Sequence, residues 1–190
     1  MTPDDFNKLP DDLREYRFRK SLGELSATDA RPDGSREYCI ALDSAICHLL
    51  AIDFDSVKEY WRKDRLVFMG KSADALLVDG EDWYLIEFKT GGINVAESLR
   101  KVYDSAMALV EFGILTWEQC KSRLTFILVG KEVETRLEQL RKKSRSEYMD
   151  LAYKAVDLDP RTVEGQIVKE FLIYTPSEFE TLAVAHQWRN

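Results

Sequence analysis

No stretch of this chain is apolar for long enough to cross a bilayer as a helix, so a helical membrane protein is not expected. The start, Met1-Thr2-Pro3-Asp4-Asp5, lacks the basic and then apolar character of a signal peptide, and no export is expected. Cysteine is scarce: Cys39, Cys47 and Cys120 show no paired CxxC spacing. An odd count without an export signal predicts reduced thiols and a cytoplasmic protein rather than a disulfide scaffold. Histidine is scarcer still, and His48 and His186, isolated from any cysteine pattern, make no zinc motif. Cys47-His48 is not read as a nucleophile dyad, because adjacent residues of a helix point in different directions. Positive charge is in deficit as well: 27 Lys and Arg against 34 Asp and Glu leave a net charge of −7. That counts against strong sequence-independent binding to nucleic acid, which depends on neutralising phosphates. An acidic protein can still offer one basic face, and local clusters exist at Arg100-Lys101 and at Arg136, Arg141, Lys142, Lys143 and Arg145.

A content of 45% hydrophobic and 32% charged residues over 190 positions describes a globular chain able to bury a core. Residues 1–33, polar and carrying Pro3, Pro10 and Pro32, read as an N-terminal extension with a short helix from Asp11 to Lys20. Residues 34–190 read as a single α/β domain. Cys39, Leu42, Ile46 and Leu49-Leu50 recur at helical steps and predict a helix from Ser35, its N-cap, to about Ile52. Ser56 to Lys63 predicts a further short helix, and Leu66-Val67-Phe68-Met69 a first strand. Val95, Leu99, Val102, Ala106 and Leu109-Val110 mark a long amphipathic helix that stops by Gly113. Thr116 opens a short helix, Leu124 to Gly130 is a buried strand, and residues 133 to 156 are charged and helical. Phe171 to Tyr174 reads as a last strand, and Thr175-Pro176 opens a closing helix. The long helix is a natural crossover to the Leu124 strand. The expected architecture is a mixed sheet flanked by helices, ordered α-β-β-β-α-β with a C-terminal α-β-α extension.

One segment stands out. Ser72-Ala73-Asp74-Ala75-Leu76-Leu77-Val78 and Trp83-Tyr84-Leu85-Ile86-Glu87-Phe88-Lys89 flank the polar turn Asp79-Gly80-Glu81-Asp82, a hairpin signature. With Gly80-Glu81 as the loop, Asp74 lies opposite Glu87; with Asp79-Gly80 as the loop, Asp74 faces Leu85 and Glu87 is a diagonal neighbour. In either register the period of two places Asp74, Glu87 and Lys89 on one face. Neighbouring carboxylates repel unless a cation intervenes, and unpaired buried charge is costly. A divalent metal resolves the conflict: Mg²⁺ takes one or two carboxylates, several waters and a substrate phosphate oxygen. The structural alternative is a Glu87–Lys89 salt bridge at an exposed strand end. Against it, the two charges interrupt a run that is apolar on both faces, as in a central strand.

At these residues the chain resembles the PD-(D/E)xK nuclease superfamily, whose motif is an Asp at the start of one core strand and an acidic-x-Lys triplet on the next. Asp74 matches the first element and Glu87-Phe88-Lys89 the second, while Ala73 stands where Pro is usual. The motif covers residues 72–89, and the element order extends the resemblance over most of the chain. The resemblance implies a restriction-endonuclease-like core and Mg²⁺-dependent hydrolysis of phosphodiester bonds, with Mn²⁺ as a substitute and DNA ahead of RNA as substrate. It also implies Asp74, Glu87 and the main-chain carbonyl of Phe88 as metal ligands, and Asp74, Glu87 and Lys89 as the catalytic set. Glu37, with Asp43 as a lesser candidate, would supply a further acidic group near the metal. Arg100, Lys101 and Tyr103, on the helix after the motif, would touch the phosphate backbone. No membrane partner is expected and a homo-oligomer stays open. The alternative is a scaffold of this kind without catalysis, serving as a nucleic-acid- or protein-binding subunit.

Overall fold

The computed structural model describes residues 9–27, 42, 44–65, 70–89, 95–130, 163–186 and 188. The predicted strand at 66–69, the helix at 133–156 with its basic cluster, and Glu37, Cys39 and Asp43 lie outside these residues. Six strands form one mixed sheet in the order of the chain: β1 (Arg19–Ser21), β2 (Leu50–Asp53), β3 (Ala75–Asp79), β4 (Asp82–Lys89), β5 (Leu124–Gly130) and β6 (Glu170–Tyr174). The first four pair antiparallel with one another, whereas β5 runs parallel to both β4 and β6. A parallel pair needs a crossover. Here it is α5 (Val95–Glu111), followed by the short α6 (Trp117–Arg123). The remaining helices are α1 (Asp11–Arg14), α2 (Leu22–Leu25), α3 (Ser44–Cys47), α4 (Phe54–Arg65) and α7 (Pro176–Ala185).

The sheet is buried where its sequence is apolar on both faces. All seven residues of β5 are buried, as befits a parallel strand covered on two sides. On β4 the even positions Tyr84 and Phe88 meet Trp188 and Phe179 of the C-terminal segment edge-on, at 4.9 and 6.2 Å between ring centroids. The odd positions therefore face the other layer, where α5 buries Ser98, Leu99, Val102, Ser105, Ala106 and Leu109 at helical spacing. Helix α4 joins that layer through Trp61, which stacks on Phe112 at 4.0 Å. Two capping boxes start helices where the sequence predicts them. Thr116 and Gln119 cap α6 reciprocally, and Thr175 and Glu178 cap α7 with Pro176 behind them.

Two expectations are corrected. The helix predicted to run to Ile52 is helical only at Ser44–Cys47 among its described residues, and Leu50–Asp53 is a strand. Leu49 and Leu50 satisfy the helical step, but pairing of Ile52 with both Arg19 and Leu76 decides the conformation. The helix predicted over Asp11 to Lys20 ends at Arg14. A 3₁₀ turn at Tyr16–Phe18 leads into β1, so part of the predicted N-terminal extension forms the edge of the sheet.

Candidate functional site

The hairpin register is the one with Gly80-Glu81 as the loop: Asp79 pairs with Asp82, and Ala75 with Ile86. Gly80 takes φ 60, a backbone conformation that side chains resist. One step beyond the Ala75–Ile86 pair, Asp74 meets the end of β4. Its Oδ2 accepts the Phe88 N–H at 2.7 Å, and its own carbonyl accepts the Phe54 N–H at 3.2 Å. The preceding residues are tied to α5. The Ala73 N–H donates to Ser105 Oγ at 3.0 Å, and the Lys71 N–H to Asp104 Oδ2 at 2.8 Å.

The structure brings Asp74, Glu87 and Lys89 together and adds a fourth residue. Lys101 Nζ lies 2.6 Å from both oxygens of Glu87 and 3.6 Å from Asp74 Oδ1. Lys89 Nζ is 3.2 Å from Glu87 Oε1 and 3.6 Å from Glu97 Oε1, and Lys71 Nζ is 2.7 Å from that same Glu97 oxygen. The result is a row of alternating charge: Asp74, Lys101, Glu87, Lys89, Glu97, Lys71. Its centre is dry, with the Glu87 side chain only 1% exposed, whereas Asp74 and Lys89 are 22% and 23% exposed.

Burial and neighbouring charge shift Asp74, Lys101 and Glu97. Burial, reinforced by the neighbouring Glu87 carboxylate and more weakly by Asp55, pushes the Asp74 carboxyl up to about 7; Lys101 and the Phe88 N–H oppose the rise. Burial alone would lower the Lys101 ammonium. The carboxylates of Asp74 and Glu87 outweigh it, and Lys101 is held above its ordinary value. The hydrogen bond from Lys71, with Lys89 adding to it, holds Glu97 below the usual carboxylate range.

Lys101, expected from the sequence to contact phosphate, thus turns inward onto the two carboxylates. Its position gave only a partial signal: Lys101 stands three residues after buried Ser98 and four before buried Ser105, at the margin of the inner face, which fixes its place but not its direction. Arg100 remains exposed and pairs with Asp104 at 3.5 Å, and Tyr103 is also exposed. Asp55, in the first turn of α4, was not singled out. Its Oδ1 accepts from Ser72 Oγ, two residues before Asp74, and from Lys58 Nζ at 3.4 Å. Asp55 also lines a cleft of about 470 Å³ with Arg17, Phe18, Ser56, Tyr60 and Lys63, among others. Within that cleft the Arg17 guanidinium sits 4.2 Å from the centre of the Tyr60 ring.

The donor set suits a small hard cation in kind: two carboxylates from adjacent strands, with Asp74 Oδ1 beyond hydrogen-bond length from its nearest ammonium. Among the described residues no group of three or more His, Cys, Asp or Glu side chains is placed to hold a metal ion, so the described side chains would supply two carboxylates alone. A site of this kind would leave most positions of the ion to water and substrate.

These features define a mixed α/β protein with a six-stranded sheet and a charged row at the open end of its central hairpin. No protein-family model matches the chain, and no curated protein or solved structure matches it. Among the described residues no helix is long and apolar enough to cross a membrane.

Proposed function

We propose that this protein is a metal-dependent phosphodiesterase of the PD-(D/E)xK type, acting on nucleic acid and on DNA in the first instance. The observation that carries the reading is the meeting of Asp74, Glu87 and Lys89 at one end of the β3–β4 hairpin. That the mixed sheet is the restriction-endonuclease-like core belongs to the same proposal, as does a cytoplasmic setting. Asp74 and Glu87 would hold Mg²⁺ or Mn²⁺, with the Phe88 carbonyl added by the resemblance. When bound, such an ion supplies positive charge to the phosphate and to the leaving oxygen. Glu87 and Glu97 hold Lys89 from two sides, so its ammonium is oriented to position a water or a phosphate oxygen.

The test is cleavage of linear, branched and single-stranded DNA, with RNA in parallel, in the presence of Mg²⁺ or Mn²⁺. Lys89→Ala is expected to lower the rate by about 10²-fold or more. Cleavage that is unchanged in Lys89→Ala removes Lys89 from its role, and no cleavage of any substrate favours a second reading. That reading is a scaffold without catalysis that binds nucleic acid or protein, and the placement of Lys101 between the carboxylates favours it.

A further inference from the structure

Glu87 is sealed from solvent, and both of its oxygens point at one nitrogen, Lys101 Nζ, at 2.6 Å. The same nitrogen lies 3.6 Å from Asp74 Oδ1. An ammonium so placed stands where a cation shared by the two carboxylates must stand. A divalent ion bound to these oxygens would sit about 2.1 Å from them, inside the volume the ammonium fills. The two cations cannot be accommodated together, because overlap and repulsion both forbid it.

We propose that Lys101 is the resident cation of this site and that it exchanges with the divalent ion, so that the protein keeps its own site closed until Lys101 leaves. The inference rests on the metal-site reading given above and adds the regulation of that site. Two further contacts make the exchange feasible. Glu87 retains Lys89 at 3.2 Å when Lys101 departs, so the buried carboxylate is never stripped of positive charge. Glu97 lies one helical turn before Lys101 on α5, in the Glu-then-Lys order that favours pairing. It already feels the Lys101 charge. Lys71, which together with Lys89 holds Glu97 now, is half-exposed and can yield to solvent. The four-carbon stem of Lys101 can therefore swing along the helix from one carboxylate to the next without losing a partner.

The experiment measures Mn²⁺ binding to the full chain by calorimetry and by loss of the free-ion electron paramagnetic resonance signal. It compares the unaltered protein with Lys101→Met, Lys101→Arg and Asp74→Asn. Lys101→Met is expected to bind Mn²⁺ at least about tenfold more tightly, which corresponds to about 1.4 kcal/mol, while Lys101→Arg binds as weakly as the unaltered chain. Equal affinity in the unaltered chain and Lys101→Met, lost from both when Asp74→Asn is introduced, overturns the exchange and leaves the metal site standing. No binding by any of them at millimolar Mn²⁺ overturns the metal reading, and the exchange falls with it. Should Lys101→Met fail to fold alone, recovery of a cooperative melt on adding Mn²⁺ supports the exchange. Failure to recover while Lys101→Arg folds overturns it.

Discussion

Replacing Asp74 with Asn tests the electrostatics of the row without touching its packing. The Asn side-chain oxygen can still accept the Phe88 N–H that Asp74 Oδ2 accepts at 2.7 Å. What is lost is a carboxyl that burial and Glu87 push from 3.8 to about 7. Between those pH values the folded protein keeps a proton that the unfolded chain has released, so each step up in pH costs stability. The contribution is whole below about pH 4, declines up to about pH 7, and is flat above. The full interval corresponds to about 4 kcal/mol at most. Because Asp74 is 22% exposed, water relieves part of it, and about 2 kcal/mol is the working figure. Urea unfolding with a chelator present, followed by tryptophan fluorescence from pH 4 to pH 8, measures the difference. Asp74→Asn should match the unaltered chain at pH 4 and exceed it by about 2 kcal/mol at pH 8, or about 4–8 °C in Tm for a chain of this size. Parallel curves for the two proteins, or a less stable variant at pH 8, would refute the assignment of a strained, buried Asp74.

The Glu87–Lys101 pair should behave as a buried ion pair. Glu87→Gln and Lys101→Met, combined in a double-mutant cycle, are expected to couple by about 1–3 kcal/mol, reduced from a bare pair by the remaining Lys89 contact. Coupling below about 0.5 kcal/mol would show that the contact adds nothing beyond its neighbours. Gly70→Ala places a Cβ 1.9 Å from Asp104 Oδ2, which must move and release the Lys71 N–H. A loss of about 1 kcal/mol in chemical unfolding is expected from that broken bond, and a neutral variant would show that Asp104 does not anchor the segment leading to Asp74.

What could be read from the chain divides along physical lines. The hairpin was legible because Gly80 is a turn residue and the flanking runs alternate or stay apolar. The burial of β5 followed from seven residues of largely apolar, β-favouring character, and the starts of α6 and α7 from Thr116 and Thr175-Pro176. The strand at Leu50–Asp53 was not legible. Three apolar residues, Leu50-Ala51-Ile52, fit helical and extended periods alike, and their partner Arg19–Ser21 carries two charges and no apolar run. At the site, the Asp74, Glu87 and Lys89 face followed from period two along the strands. The inward turn of Lys101 did not, because a lysine at the margin of a helix face is free to point either way until a buried carboxylate claims it.

A sheet whose strands are ordered as they occur in the chain has a kinetic corollary. The β3–β4 hairpin closes over a two-residue loop, a process on the order of microseconds, and it can form before the distant crossover docks. It would then gather Asp74 and Glu87 with only Lys89 of the hairpin to offset them, while Lys101 on α5 is still elsewhere. The early stage of refolding thus runs uphill electrostatically, and added salt should shorten it more than it alters the unfolding limb of a chevron plot.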